Sequence, residues 1–241
     1  MCSIFGCFNY NNSILTTNQF AKINKLMVNR GPDYSEIQEF FFQDKVLRFG
    51  HNRLSILDLS KNGNQPMLSL CKRYTIVFNG EIYNHLELRK NQCFKNHNWI
   101  GNSDTETLLS LFSYYEIDHI LNLLDGMFAF SIYDNIEKKL FLVRDRSGEK
   151  PLYFTLNPNF LAFSSDLISI MNLPNFDKRI SKESLNEYMM YNYVPNPKTI
   201  FESVYQLPPS SYIKFELVDL KFKKTQNFHN LISEKYVDYK K

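Results

Sequence analysis

The second residue of this chain carries a thiol directly after the initiator methionine, in Met1-Cys2-Ser3-Ile4-Phe5-Gly6. Methionine aminopeptidases remove Met when the next side chain is small, and Cys qualifies. Processing leaves Cys2 with a thiol and a free α-amine on one residue. The amine has an ordinary pKa of about 7.7–8.0, so a good fraction of it is neutral near pH 7. It can take the thiol proton and later return it to a leaving group, making Cys2 both nucleophile and base. The plainer reading is that Cys2 is only a small residue that suits Met removal.

Three other places complement such a nucleophile. Asn79-Gly80 suits a tight hairpin turn, but a helix rather than a strand is expected to follow it. The chemical reading is an oxyanion hole, with the Asn79 amide and the Gly80 N–H aimed at a developing negative oxygen. Arg53 ends an apolar strand, either as a surface terminus or as a fork that clamps a carboxylate. Asp104 opens a helix, where an acid compensates the dipole; with Glu81 it can also hold an ammonium. A thiol, an oxyanion hole, a carboxylate clamp and an ammonium clamp together describe a site for an α-amino acid with a reactive side-chain carbonyl. Glutamine fits that description.

The elements that must position these groups follow from periodicity. Ile4 to Phe8 reads as a buried strand that fixes the direction of the thiol. Phe20, Ile23 and Met27 recur at helical spacing, with Thr17 as N-cap and a stop at Asn29-Arg30-Gly31-Pro32-Asp33. Asn11-Asn12-Ser13 reads as the turn before that helix. Phe40–Phe42 and Val46–Phe49 read as strands joined by a turn at Gln43-Asp44-Lys45. Tyr74–Phe78 is a further strand, followed by a helix from His85 to Asn91 with Asn84 as N-cap and Glu87 closing a capping box. Ser103-Asp104-Thr105-Glu106 is a second capping box. Strands at 127–133, 140–143, 152–155 and 160–163 are continuous apolar runs, so both sheet faces should be covered. Helices are expected at 167–173 and 182–191.

With 241 residues and 44% hydrophobic side chains, the chain can bury one sizeable core. Its net charge of +3 comes from interspersed charges, which argues against a nucleic-acid or membrane footprint. Cys2, Cys7, Cys71 and Cys93 are scattered without ligand spacing, so no structural metal is expected, and the reduced cytoplasm is the expected compartment. No signal peptide is expected ahead of Cys2.

Six ordered segments carry a resemblance: Cys2 to Gly6, Arg30 to Asp33, Arg53 to Leu59, Asn79 to Asn84, Ser103 to Glu106 and Arg144 to Tyr153. The set resembles the N-terminal glutaminase domain of glutamine-hydrolysing asparagine synthase, a class II glutamine amidotransferase of the N-terminal-nucleophile hydrolases. Weaker similarity continues through Tyr193-Val194-Pro195, Thr199 to Glu202 and Leu207-Pro208-Pro209. The resemblance implies an α+β fold, a four-layer α/β/β/α sandwich of two mainly antiparallel sheets. It implies Cys2 as nucleophile and base, Asn79 and Gly80 as oxyanion hole, and Arg53 as carboxylate clamp. Asp104 and Glu81 would hold the ammonium, and the backbone of Leu54, Ser55, Ile56 and Leu57 would line the pocket. Arg144-Asp145-Arg146 reads as structural.

The family's larger second domain uses a Gly-Gly phosphate loop. The eight glycines here include no adjacent pair, so ATP and magnesium are expected only for that missing synthetase domain, and no cofactor in this chain. Residues 2–175 are expected to form the glutaminase domain, and 176–241 a linker and the beginning of an incomplete synthetase domain. Ile200, Phe201, Val204, Tyr205, Tyr212 and Phe215 would then have lost their packing partner, or meet it on another chain. The expected activity is release of ammonia from glutamine, for a synthetase domain or subunit that receives it, with room for a homodimer. Rival readings are a non-catalytic glutamine-binding or docking module, an inactive remnant, or an amidotransferase serving a sugar or antibiotic precursor.

Overall fold

The structure, a computed structural model, describes residues 1–10, 15–42 and 44–218 and the backbone of a strand at 236–238. The turn expected at Asn11-Asn12-Ser13, and Gln43 of the next expected turn, lie outside the described residues. In chain order the elements are β1 (Ser3–Asn9), α1 (Thr17–Lys25), β2 (Tyr34–Phe42), β3 (Lys45–Arg53), β4 (Met67–Leu68) and β5 (Tyr74–Ile82). Next come α2 (His85–Leu88), α3 (Asp104–Leu111), α4 (Ile117–Leu123), β6 (Gly126–Asp134), β7 (Lys139–Arg144), β8 (Tyr153–Leu156) and β9 (Phe160–Ser164). The last are α5 (Leu167–Met171), α6 (Lys182–Tyr191), β10 (Val204–Gln206), β11 (Ser211–Glu216) and β12 (Tyr236–Asp238).

The strands form two six-stranded sheets, ordered β10-β8-β9-β1-β3-β2 and β12-β11-β7-β6-β5-β4, with antiparallel neighbours throughout. Because side chains alternate along a strand, each apolar run feeds two layers. Ile4 and Phe8 of β1, Leu47 and Phe49 of β3, Val77 of β5 and Ala129 and Tyr133 of β6 meet between the sheets. Phe5 and Cys7 turn the other way, against Phe20 and Ile23 of α1 and Ile170 of α5. Phe5 stacks on Phe20 with ring centroids 4.5 Å apart. On the second sheet, Ile76, Phe78, Phe128 and Phe130 face Leu108 and Leu111 of α3 and Ile120 of α4. The result is the expected α/β/β/α sandwich, and the continuous apolar runs are strands covered on both faces.

Several local expectations shift. Thr16, not Thr17, caps α1, in a reciprocal capping box with Gln19. β5 does not end at Phe78 but continues through Asn79-Gly80-Glu81 to Ile82, because β6 pairs with it along that whole length. Asn84 gives α2 no side-chain cap; its amide instead donates to Leu123 O at 2.9 Å and accepts from Asp125 N at 3.1 Å. Ser103 caps α3 by accepting from Glu106 N at 3.1 Å, while the Glu106 carboxylate accepts from Ile100 N and Gly101 N.

The largest correction concerns the boundary expected after Asn175. β10 extends the first sheet beside β8, and β11 extends the second beside β7. Leu207, Ile213, Phe215 and Leu217 fill the layer between the sheets. Val204, Tyr212 and Phe215 are therefore buried within this chain, and Ile200, Phe201 and Tyr205 are half-buried. The described segment up to Val218 completes the sandwich and does not begin a second unit.

Candidate active site

One end of the sandwich opens between the sheets, and alternation decides which side chains reach it. Ser3 pairs with Asn52, which places Cys2 beside Arg53 across the β1–β3 ladder. Both stand on the face of the sheet that carries Ile4 and Leu47. From the opposite sheet, Asn79 and Glu81 share the face of Val77, and Met127 lies across from Glu81. These residues converge on one cavity of about 100 Å³, whose wall also includes Met1, Leu54, Ile56, Leu57, Gly80, Asp104 and Lys150.

The Cys2 thiol is held by backbone. Leu54 N donates to Sγ at 3.4 Å, and Sγ lies 3.6 Å from Leu54 O. Burial pushes this thiol above its ordinary value, against the opposing Leu54 bond and the positive N-terminus and Arg53. A buried neutral thiol needs a base beside it to become a nucleophile. Arg30 Nε donates to Cys2 O at 3.5 Å and steadies the strand start.

Asn79 is 1% exposed, and its side-chain nitrogen has no hydrogen-bond partner. Leaving a buried donor unpaired costs about 1–3 kcal/mol, so its opening onto the cavity calls for an acceptor there. The neighbouring backbone is tightly arranged. Phe78 N donates to Gln65 Oε1 at 2.6 Å, and Ile82 N donates to Asp104 Oδ2 at 2.9 Å. Phe128, opposite Gly80, spends its N–H and carbonyl on Asp145. Gly80 lies two residues from both Phe78 and Ile82, so its N–H points to the same open edge, toward the cavity. A side chain at Gly80 would strike Met127 O and Phe128; the glycine is thus required by packing on β6.

Asp104 opens α3 and is 5% exposed. Its carboxyl is pushed up to about 6, chiefly by burial and further by Glu81, against hydrogen bonds from Ile82 N and Thr105 N. Arg53 Nη1 donates to Ser60 O and Asn64 Oδ1, each at 2.8 Å, and Nη2 donates to Asp58 O. Its charge meets carbonyl and amide oxygens in these bonds, so a carboxylate remains a better partner than any it has. Asp58 pins that loop by accepting from Ser60 N and Asn102 N.

The structure therefore brings Cys2, Arg53, Leu54, Ile56, Leu57, Asn79, Gly80, Glu81 and Asp104 to one pocket. Ser55 is the exception: it is not part of the wall, and its N–H donates to Asp33 Oδ2 at 2.7 Å. Sequence reasoning misses Gln65, Gly63 and Lys150. Gly63 leaves space that a side chain would take from the Arg53 guanidinium, and Gln65 gives no signal beyond preceding a proline. Arg144-Asp145 behaves as a structural unit. The Asp145 carboxylate accepts four backbone N–H groups, and Arg144 donates to the carbonyls of Lys150, Leu207 and Gly148. Cys7 is a core residue whose thiol donates to Asn9 Oδ1 at 2.9 Å. Among the described residues no group of three or more His, Cys, Asp or Glu is placed to hold a metal, and no helix is long and apolar enough to cross a membrane.

Two sheets packed face to face, with a cysteine at the start of a central strand and the site at their open end, define an N-terminal-nucleophile hydrolase fold. The same architecture occurs in the glutamine phosphoribosylpyrophosphate amidotransferase of B. subtilis, at a TM-score of 0.62 and 15% identity over 89% of this chain and 47% of that one. The glutamine amidotransferase domain family matches residues 1–228. This chain belongs to that family, as a class II domain homologous to the N-terminal region of asparagine synthetases. It is 38% identical to asparagine synthetase [glutamine-hydrolyzing] 1 of Bacillus subtilis over 88% of its length and 33% of the relative's. It is also 33% identical to a putative asparagine synthetase of Methanocaldococcus jannaschii, over 90% of its length and 44% of that protein's. The chain thus spans less than half the length of these curated relatives.

Proposed function

We propose that this chain hydrolyses the side-chain amide of glutamine to glutamate and ammonia through a thioester on Cys2, as the amidotransferase part of an asparagine-synthase-like enzyme. The observation that carries the reading is the unpartnered Asn79 amide nitrogen, buried in the same cavity as the thiol. In the reaction, the α-amine exposed by loss of Met1 takes the thiol proton, and the sulfur adds to the amide carbon. The carbonyl oxygen becomes an oxyanion facing Asn79 Nδ2–H and Gly80 N–H. Collapse breaks the C–N bond, and the protonated amine gives its proton to the departing nitrogen as ammonia leaves. Water then adds to the thioester with the amine as base, and glutamate departs with the thiol restored.

Arg53 takes the substrate carboxylate, Asp104 and Glu81 its ammonium, and Leu54, Ile56 and Leu57 the aliphatic stem. Ammonia passes to a synthetase domain or subunit, to which ATP and magnesium belong. Purified chain given glutamine should release glutamate and ammonia, and added aspartate with Mg-ATP should yield no asparagine. Cys2→Ala should abolish release while still binding glutamine. Wild-type turnover by Cys2→Ala would overturn the assignment.

A further inference from the structure

The turn after β7 does more than join two strands, because it delivers a lysine to the cavity wall. Both backbone groups of Lys150 are fixed: its N–H donates to Asp145 Oδ2 at 3.0 Å, and its carbonyl accepts from Arg144 Nε at 2.8 Å. The residue is 6% exposed, and its Nζ meets Met1 Sδ at 3.2 Å. A thioether is a weak acceptor. Among the described residues no carboxylate forms an ion pair with this ammonium. Burying a lysine without an acid is costly, and such groups gather at functional sites.

The partner it does have is the residue whose removal the mechanism requires. Covalent geometry puts Met1 Sδ at most about 6 Å from the Cys2 nitrogen, so Nζ lies within about 9 Å of the future α-amine. The lysine side chain can come closer once Met1 has gone. We propose that Lys150 is a positioning residue for the Cys2 amine, its ammonium keeping that amine in the neutral, proton-accepting form. The inference rests on the proposed role of the amine as base. A like charge nearby disfavours the protonated amine, which raises the fraction able to take the thiol proton.

The other charged groups around the site are Arg30, Asp166, Arg53, Asp58, Glu81 and Asp104. Arg30 reaches Asp166 at 3.8 Å and the Cys2 carbonyl, and Arg53 gives its fork to the 58–64 loop. Asp58 caps that loop, and Glu81 and Asp104 face the cavity from β5 and α3. None of these residues is altered by a substitution at Lys150 alone.

The test compares wild type, Lys150→Met, Lys150→Gln and Lys150→Arg, each with Met1 removed. The acid limb of the kcat/KM profile for glutamine should move up by about one pH unit in Lys150→Met and Lys150→Gln, and stay at wild type in Lys150→Arg. In parallel, the α-amine is titrated in a Cys2→Ser background, where residue 2 has no thiol to titrate and no thioester can form on it, through the NMR shift of the N-terminal α-carbon. The same upward displacement is expected there. Coincident amine titrations in all four chains would overturn the proposal, whatever the rates. A wild-type chain unable to hydrolyse glutamine would contradict the functional reading, and the amine titration in the Cys2→Ser background would still decide Lys150.

Discussion

His51 Nε2 lies 3.1 Å from the Phe78 carbonyl oxygen, tying β3 of one sheet to β5 of the other one residue before Asn79. A carbonyl only accepts, so Nε2 carries the proton, and the buried Nδ1 has no partner. With Gln65 holding the Phe78 N–H, Phe78 is fixed at both its backbone groups by side chains. The bond sets the spacing between the strand that carries Asn79 and the strand that carries Arg53.

Burial pushes His51 down to about 4 from its ordinary 6.5, and the ring is neutral at neutral pH. The unfolded chain therefore binds the extra proton first, and His51's contribution to stability is lost progressively as pH falls from 6.5 towards 4. Asp104, whose carboxyl is raised, acts with the opposite sign over part of that range. His51→Gln can still donate to Phe78 O but cannot titrate. Denaturant midpoints of this variant should fall less steeply with acid than those of wild type; parallel curves would remove His51 from the explanation.

Asp104 should govern substrate affinity. As pH falls through about 6 the carboxyl takes a proton, and KM for glutamine should rise while kcat changes less. Asp104→Asn should raise KM about 30-fold or more at neutral pH, the scale of a lost buried charge pair, and remove this pH dependence. A KM indifferent to both changes would place the substrate ammonium elsewhere.

Asn79→Ala should lower kcat about 10²- to 10³-fold with little change in KM, because the proposed mechanism uses the lost donor only at the oxyanion. Steady-state kinetics separate the two constants. An equal loss carried wholly by KM would make Asn79 a ground-state contact.

The C-terminal strands are expected to be essential for folding. Ending the chain after Asn175 removes Leu207, Ile213, Phe215 and Leu217 from the layer between the sheets. Each such side chain contributes about 1.5–3 kcal/mol, and the sum rivals the whole stability of a domain. A chain of residues 1–175 should be insoluble or lack a cooperative thermal transition, whereas 1–218 should keep one. A stably folded 1–175 chain would restore the boundary expected after Asn175.

That boundary shows where the sequence stops being legible. Ile4 to Phe8 and 127–133 announce their strands through long apolar runs, and Cys2, Arg53, Asn79, Gly80 and Asp104 stand out because their chemistries complement one another. β10 and β11 do not, because three- and six-residue strands beside Leu207-Pro208-Pro209 look locally like a linker. Their partners are distant in sequence: Arg144 Nη1 donates to Leu207 O at 2.6 Å, and Ser210 N donates to Asp145 O at 2.8 Å. Lys150 is hidden similarly, since its place at the cavity depends on the Asp145 turn and not on any periodicity. Asn79-Gly80 is legible as chemistry, while the continuation of β5 through it depends on pairing with β6.

The most direct measurement is intact mass and peptide mapping of the chain from its native host, before and after treatment with the glutamine analogue 6-diazo-5-oxo-norleucine. The untreated chain should lack Met1, and the treated chain should gain one adduct, on Cys2, with loss of glutamine hydrolysis. An active chain that retains Met1, or inactivation with the adduct on any residue other than Cys2, would contradict an N-terminal cysteine as nucleophile and base.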